Sequence, residues 1–323
     1  MNIYHSWMIL IIFSLAQLYG SENPLKAMHQ PSNTALDTLL TPEINGIKQA
    51  VAIKTDDVNR PILLFLSGGP GSSMMNSATK FTDILQEKFT IVHWDQRETG
   101  KTLKLNPSPT PLSVVQMQQD TYEVVLFLTK TLKKEKVYLL GSSWGNVLGF
   151  HIVAKHPDLL HAYFAVNTIV NQLASEKELL KKLKSHFSEN EVATEELASV
   201  NPPFQSEKDL FYLRKWLFYK DGEKYAITKR FEKGFMQWAK TWSSVFDEVL
   251  AIDLTQSLQK VDCPVYFFVG KNDIQTSTEI TKAYYQALET EEKGIFLFEK
   301  SGHQIHQEEP EEFQRTIIEI VEK

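Results

Sequence analysis

The segment with the clearest capacity for chemistry is a five-residue pattern near the middle of the chain, Gly141-Ser142-Ser143-Trp144-Gly145. Ser143 lies at its centre, and a serine hydroxyl attacks carbonyl carbons once a neighbouring base removes its proton. A short apolar run precedes the pattern at 137–140, and a helix-like segment follows it. This setting predicts a strand, a tight turn and a helix, which would expose the Ser143 hydroxyl above the sheet. An ordinary glycine-serine turn is the alternative.

A serine nucleophile needs a base, and the base needs an acid that orients it. Asp273 comes just past the apolar run 265–269, and His303 follows the run 295–298 and a glycine. His303 is expected to take the proton from Ser143 and return it to the leaving group. Asp273 is expected to hold the imidazole in the correct tautomer and to stabilise its charged form.

Other titratable residues fit these two roles less well. His306 lies three residues after His303 but lacks the preceding glycine. Asp262 comes before its strand, at the wrong end of the sheet, while Asp247 and Asp253 fall in a helical segment. We therefore predict a Ser-Asp-His order along the chain, with each residue placed after a strand.

A glycine-rich loop, Ser67-Gly68-Gly69-Pro70-Gly71, follows the first solid apolar run. Acyl transfer places negative charge on the carbonyl oxygen, and two aimed N–H groups stabilise it. We expect one N–H from Trp144, the residue after the nucleophile, and the other from Gly69. A glycine turn without a catalytic part is the alternative, and a phosphate-binding loop is excluded because no Lys-Ser/Thr pair completes it.

The elements that must position these residues alternate between strand and helix patterns. Alternating residues at 47–54 predict an early strand in a hairpin, and amphipathic patterns predict helices at 113–134 and 145–156. Solid apolar runs predict buried strands at 62–66, 89–94 and 137–140 and further strands at 162–166, 265–269 and 295–298. The fold class is therefore α/β, with a mostly parallel central sheet flanked by helices.

One block, 167–260, breaks this alternation because it is helical, rich in aromatic residues and without a buried strand run. We interpret it as a helical cap inserted over the carboxyl edge of the sheet. The core then has two parts, 21–166 and 261–323, after a signal peptide at 1–20.

Three side chains of this cap are candidates for contact with substrate. Trp238 and Trp242 lie four residues apart on one predicted helix and share a face, where they offer flat walls to a small ring or aliphatic group. Packing of the cap against itself is the equal alternative. Glu248 lies further along the same helix and is a candidate carboxylate for binding a substrate ammonium group.

Three motifs taken together resemble the prolyl aminopeptidase (proline iminopeptidase) group of α/β hydrolases. They are Gly68-Gly69-Pro70-Gly71, Trp94-Asp95-Gln96-Arg97 and the pattern at 141–145. The resemblance covers about 44–167 and the chain from Cys263 onward. It implies the α/β-hydrolase fold with a helical cap, serine-based hydrolysis and no cofactor. It also implies the same roles for the residues assigned above.

The chain departs from that group at three positions, where it has Ser67 in place of His, Ser142 in place of Gly and Glu98 in place of Gly. The acidic cap residues that hold the substrate's amino group in the family have no match by position. We expect Asp95 and Arg97 to brace the loop beneath the site.

Composition and the N-terminal sequence limit the partners and the cellular location that we expect. A net charge of -6 without a basic cluster argues against a nucleic-acid partner, and the single cysteine, Cys263, excludes a disulfide within the chain and a cysteine-built zinc site. The apolar run at 7–13 is short for a membrane span and is followed by a small-residue cleavage pattern. We expect a secreted or periplasmic protein without a stable membrane partner, with an uncleaved membrane anchor as the alternative.

Three functions are compatible with this sequence. The first is a hydrolase that releases an N-terminal, proline-like residue from small peptides or amides. The second is a carboxylesterase or lactonase that uses the same triad on an ester. The third is a non-catalytic binding protein of the same fold, which would not require an intact triad.

Overall fold

A computed structural model of the protein describes residues 34–109 and 111–323. Its centre is an eight-stranded sheet in the order β1-β4-β6-β5-β7-β8-β9-β10, and β2 and β3 form a separate small hairpin. The strands are β1 Leu36–Leu40, β2 Glu43–Ile44, β3 Ile47–Lys48, β4 Ala50–Thr55, β5 Ile62–Leu66, β6 Thr90–Asp95, β7 Val137–Ser142, β8 Leu160–Val166, β9 Val265–Gly270 and β10 Lys293–Phe298. The prediction of a mostly parallel sheet flanked by helices is confirmed, because all pairings from β6 through β10 are parallel.

Eleven α-helices of the described residues surround the sheet or form the insertion. They are α1 Gly100–Leu105, α2 Val114–Leu132, α3 Gly145–Lys155, α4 Gln172–His186, α5 Glu191–Ser199, α6 Glu207–Lys220, α7 Lys229–Leu250, α8 Leu254–Ser257, α9 Thr278–Ala287, α10 Ile305–Glu308 and α11 Pro310–Val321. Local sequence fixes several of their starts. Ser113, for example, accepts a hydrogen bond from the Gln116 amide and so caps the first turn of α2.

The two faces of the sheet are covered by separate apolar layers. All five residues of β5 are buried, as expected of a strand with helices on both faces. Leu64 and Leu66 point into one layer, together with residues of α2 and α3, whereas Leu63 and Phe65 point into the other, together with residues of α11. This alternation follows from the two-residue period of a strand and explains why a solid apolar run is required here.

The segment between β8 and β9 contains α4 to α8 and no strand of the sheet. Because β8 and β9 pair directly with each other, this segment leaves and re-enters the sheet between two neighbouring strands. Its helices have an apolar cluster of their own, which includes Leu183, Leu213 and Trp216. Trp242 and Val245 of α7 and Leu254 of α8 belong instead to the apolar layer that α2 and α3 form on the sheet, so the insertion also packs against the sheet.

The expected signal peptide at 1–20 lies outside the described residues. Within the described ranges, no helix has the length and apolar character needed to cross a membrane. Cys263 is buried, and burial raises the pKa of its thiol to about 12. This thiol therefore stays protonated at neutral pH, which makes it a poor nucleophile.

Candidate active site

Ser143 lies in a strained turn between β7 and α3. Its φ of 52° is in the left-handed region, which residues with side chains seldom adopt outside special sites. The turn is tight because α3 passes close to β5: an added Cβ at Gly145 would lie 2.1 Å from the carbonyl oxygen of Leu66. Glycine is therefore required at that position, and the glycine spacing of the motif has a steric cause.

Hydrogen bonds from neighbouring elements hold this turn. The Ser143 amide donates to the Val166 carbonyl at 3.0 Å, which ties the turn to β8. Asn146 Nδ2 donates to the carbonyls of Ser143 and Val166, at 3.1 and 2.9 Å, and Asn146 Oδ1 accepts from the Tyr163 hydroxyl at 2.7 Å. All these groups are buried, so the strained conformation of Ser143 is fixed by its surroundings.

Asp273 and His303 are in direct contact, with His303 Nδ1 2.9 Å from Asp273 Oδ2. The same carboxylate also accepts from the Thr276 hydroxyl at 2.6 Å and from the Gln275 amide at 2.8 Å. Burial raises the pKa of Asp273, but the nearby His303 and these hydrogen bonds outweigh it and hold the pKa below its usual value. The carboxylate is therefore ionised at neutral pH and suited to orient an imidazole.

Asn167 joins the acid and base loops, and sequence reasoning missed it. Its Nδ2 donates to the Gly302 carbonyl at 3.0 Å, next to His303, and its Oδ1 accepts from the Gly270 amide at 2.9 Å, just before the Asp273 loop. The side chain is buried. The sequence did contain a signal for Asn167: it is a polar residue directly after β8, at the sheet edge where the other site residues lie.

His306, the alternative base, lies away from this contact. Its ring packs edge-on against Phe81 with 4.7 Å between ring centroids, and the side chain is buried. Burial and the nearby His303 lower the pKa of His306 to about 4. These surroundings are those of a core histidine.

The glycine loop after β5 lies against Ser143. An added Cβ at Gly68 would be 3.4 Å from the Ser143 Cβ, which places the loop within van der Waals distance of Ser143. Gly69 has a φ of 121°, a conformation open to glycine, and lines the same cavity as Ser143. Trp144 directly precedes α3, where the first backbone N–H groups of a helix have no partner within the helix. The structure thus places Gly69 and Trp144, the two residues predicted to donate backbone N–H groups, on segments beside Ser143.

The Asp95-Gln96-Arg97 stretch braces these two donor segments. Gln96 Nε2 donates to the Ser67 carbonyl at 3.1 Å, while Gln96 Oε1 accepts from the Trp144 indole at 2.8 Å. The Gln96 side chain therefore connects the loop after β5 with Trp144, the residue after Ser143.

The two charged members of the stretch are also occupied by structural contacts. Asp95 accepts from the Ser73 hydroxyl at 2.5 Å and from the Lys101 amide at 2.7 Å. Arg97 is fully buried and forms an ion pair with Asp120 on α2. Glu98 has a φ of 53°, which gives a physical reason for the glycine that the resembled family has at this position.

Ser143 and His303 open into one cavity of about 890 Å³, large enough for a substrate of several residues' size. Its walls come from the glycine loop, from the loops of Asp273 and His303 and from the insertion. The insertion contributes the aromatic part of the lining, namely Phe218, Tyr225, Phe231, Phe235, Trp238 and Phe246.

The three cap residues predicted to contact substrate occupy different places. Trp238 lines the cavity, and its indole donates to the Pro70 carbonyl at 2.9 Å. Trp242 is instead buried against the glycine loop: an added Cβ at Gly71 would lie 2.7 Å from its indole nitrogen. Its predicted role as a cavity wall is corrected to one of packing.

Glu248 also lies outside the cavity lining. Its side chain is turned towards the start of α2, where Oε2 accepts from the Val114 amide at 3.1 Å. This carboxylate stabilises a helix N-terminus, which favours negative charge. The prediction that Glu248 binds a substrate ammonium group is therefore corrected. No group of three or more potential metal ligands occurs within the described ranges.

Comparison with known proteins places the chain among hydrolases. A family model described as "alpha/beta hydrolase fold" matches residues 61–310. The chain is 28% identical over 314 residues to the "Probable aminopeptidase YbaC" of Bacillus subtilis (strain 168), covering 89% of this chain and 97% of that protein. It is 26% identical over 274 residues to the "Proline iminopeptidase" of Heyndrickxia coagulans, covering 79% and 88% of the two chains. The solved proline iminopeptidase of Mycobacterium smegmatis shares the fold, with a TM-score of 0.63, 17% identity and coverage of 88% of this chain and 98% of that chain.

Proposed function

We propose that this chain, which belongs to the alpha/beta hydrolase fold family, is a serine hydrolase. It would act on small amide or ester substrates through an acyl-enzyme intermediate. One observation carries the proposal. Asp273 contacts His303 through Nδ1, which leaves Nε2 of the same ring for the proton of Ser143, and Ser143 and His303 line one cavity. These are the groups that nucleophilic catalysis by serine requires.

The chemistry proceeds in two halves. Ser143 Oγ attacks the substrate carbonyl carbon as His303 accepts the hydroxyl proton, and the resulting oxyanion receives hydrogen bonds from the Gly69 and Trp144 amides. The intermediate collapses when His303 gives its proton to the leaving amine or alcohol, which leaves an ester on Ser143. A water molecule, deprotonated by His303, then attacks this ester, and His303 returns the proton to Ser143 Oγ as the C–O bond to Ser143 breaks and the acid leaves.

A fluorophosphonate probe tests the mechanism without knowledge of the substrate. The probe should label the wild-type protein covalently and should not label a folded Ser143→Ala variant, because the hydroxyl is the attacking atom. Peptide mapping of the labelled protein should place the adduct on Ser143. Labelling of the Ser143→Ala variant at the wild-type level would contradict the proposal.

Among substrates, release of an N-terminal residue is supported by the relatives, one named a probable aminopeptidase and one a proline iminopeptidase. An aminopeptidase requires the free amino group of its substrate. The test compares kcat/KM for prolyl anilide and N-acetyl-prolyl anilide. Turnover of the free amine alone is the expected result, and equal rates on both would remove the aminopeptidase assignment.

A carboxylesterase is the second candidate, and the chemistry of the cavity favours it. Within the described part of the chain, no Asp or Glu lines the cavity, and Glu248 is occupied elsewhere. An ammonium group would therefore enter without a carboxylate partner. A butyrate ester assayed beside the two anilides distinguishes the candidates, since an esterase would favour the ester and ignore the state of the amine.

The expected location outside the cytoplasm is part of the same proposal. It depends on the apolar run at 7–13 and the small residues after it. N-terminal sequencing of protein from its native host should find a mature chain that begins after Ala16 or Gly20. An intact Met1 in a soluble cytoplasmic fraction would contradict the proposal.

A further inference from the structure

Among Arg, Lys, Asp and Glu of the described residues, only positively charged side chains line the cavity. Arg214 on α6 and Arg230 on α7 both contribute to the lining, and no Asp or Glu of the described residues does so. The two arginines are set among aromatic walls. The charge of the buried Arg214 is screened less by solvent than that of Arg230, which is exposed.

Arg214 is held in a fixed orientation. Its Nη1 donates to Glu176 Oε2 at 2.8 Å and its Nη2 donates to Glu176 Oε1, while Gln172 Nε2 donates to that same Oε1 at 2.5 Å. The guanidinium also lies over the Phe246 ring, 5.5 Å from its centroid. Glu176 is fully buried and balances the charge of Arg214. Arg214 therefore adds directed N–H donors to the wall of the cavity but little net charge.

Arg230 differs in having no ion pair with any carboxylate of the described residues. It lies in the first turn of α7 and is exposed, so it borders the cavity where the cavity opens to solvent. Its charge is not compensated by a neighbouring acid on the wall. A planar guanidinium in this position is suited to pair with a carboxylate through two parallel hydrogen bonds.

We propose that the substrates of this site carry a carboxylate, which Arg230 binds at the opening of the cavity. The inference deepens the proposed serine hydrolase by naming a substrate class and rests on that function. Two sources supply this chemistry: the terminal carboxylate of a very short peptide, on the leaving side, or a second carboxylate on the acyl chain. The cavity volume of about 890 Å³ accommodates either.

Two matched substrate pairs test the inference and separate its sources. On the leaving side, the dipeptide Pro-Ala is compared with its neutral C-terminal amide. On the acyl side, mono-p-nitrophenyl glutarate is compared with its neutral methyl ester. In at least one pair, the carboxylate member should have a kcat/KM about tenfold higher, mainly through KM, as expected for a charge-assisted hydrogen bond. Added salt should reduce this preference.

Arg230→Gln should bring that ratio close to one, because it removes the charge and keeps a polar side chain. Lys229→Gln is the matched control: Lys229 is the adjacent exposed cation, and it does not line the cavity. This control should keep the wild-type ratio. A wild-type ratio of one or less in both pairs would overturn the inference, and so would an unchanged ratio in Arg230→Gln.

A binding measurement separates failure of the inference from failure of the proposed function. Glutarate binding to the Ser143→Ala protein, followed by calorimetry, does not depend on turnover. Glutarate should bind more tightly than its neutral dimethyl ester, and Arg230→Gln should remove the difference. If the wild type hydrolyses neither pair but glutarate binding depends on Arg230, the hydrolase proposal fails and the anion site stands. If hydrolysis occurs but neither substrate pair nor glutarate binding depends on Arg230, the inference fails alone.

Discussion

At the scale of single residues, the contact between Asp273 and His303 fixes which nitrogen of the imidazole is available for catalysis. Asp273 Oδ2 accepts from His303 Nδ1 at 2.9 Å and from the Thr276 hydroxyl at 2.6 Å. With Nδ1 protonated and held, Nε2 is the basic nitrogen. A change that reverses this preference should therefore damage catalysis with little effect on the fold.

Asp273→Asn is predicted to lower kcat by about three to four orders of magnitude, as in serine proteases, because an amide can donate to Nδ1 and stabilise the wrong tautomer. Steady-state kinetics on a p-nitrophenyl ester would measure the loss, and an unchanged unfolding midpoint would show that the fold survives. A variant within tenfold of the wild type would mean that another carboxylate orients His303.

Sequence reasoning placed Ser143, Asp273 and His303 after strands because each strand was a solid apolar run with a polar residue at its carboxyl end. Parallel strands end at one edge, so residues far apart in the chain were expected to meet there. The same reasoning could not separate Trp238 from Trp242. The two share a helix face, but one lines the cavity and the other packs on Gly71, since only the path of the glycine loop distinguishes them.

At the scale of elements, solid apolar runs predicted the bounds of strands more closely than the alternating run did, and this holds even for β10, a half-exposed edge strand. The run at 62–66 forms β5 with the predicted bounds. Because β5 is buried on both faces, every position in it requires an apolar residue. The alternating segment at 47–54 is instead divided between β3 and β4, which belong to different sheets. Alternation shows which residues face inward, but the break at Gln49 depends on buried contacts. The Gln49 side chain donates to Asp120 and accepts from Trp94, and neither partner is a sequence neighbour.

Asn167 shows how one side chain positions whole elements. It connects the end of β9 with the loop after β10 through two hydrogen bonds, and these two segments lead to Asp273 and His303 of the proposed triad. Asn167→Ala should leave the buried Gly270 N–H without its partner, at a cost of about 1–3 kcal/mol, and should also remove the partner of the partly buried Gly302 C=O. It should also loosen the Asp273–His303 geometry.

The prediction for Asn167→Ala is therefore a fall in kcat with KM nearly constant, because the residue does not line the cavity. A tenfold loss of kcat, measured well below the unfolding temperature, is the expected scale. A variant that lost only stability, with kcat unchanged at low temperature, would assign Asn167 a purely structural role.

At the scale of the whole molecule, two buried histidines link the stability of the fold to pH. His93 on β6 and His306 on α10 both pack against Phe81, at 6.0 and 4.7 Å between ring centroids. Burial and the charge of the other histidine lower the pKa of His93 to about 3, and burial and the charge of His303 lower that of His306 to about 4. Each is therefore neutral in the folded protein over most of the acid range.

The sign of the effect follows from the comparison with the unfolded chain, where a histidine titrates near pH 6.5. Above that pH, both states carry neutral rings and stability does not depend on these two groups. Below it, the unfolded chain gains protons that the folded protein does not take up until about pH 4 and pH 3. The free energy of unfolding should therefore fall by about 1.4 kcal/mol per pH unit for each histidine.

His93→Phe is the variant that tests this linkage, because a phenyl ring keeps the stacking on Phe65 and has no proton to gain. Between pH 7 and pH 5, urea unfolding of the wild type should lose on the order of 2 kcal/mol more than that of His93→Phe. His186→Gln, a change at an exposed histidine, should retain the wild-type dependence. If His93→Phe lost stability with the same pH slope as the wild type, the ring of His93 would have to be protonated in the folded protein. The fall in the free energy of unfolding at acid pH would then come from titratable groups other than His93.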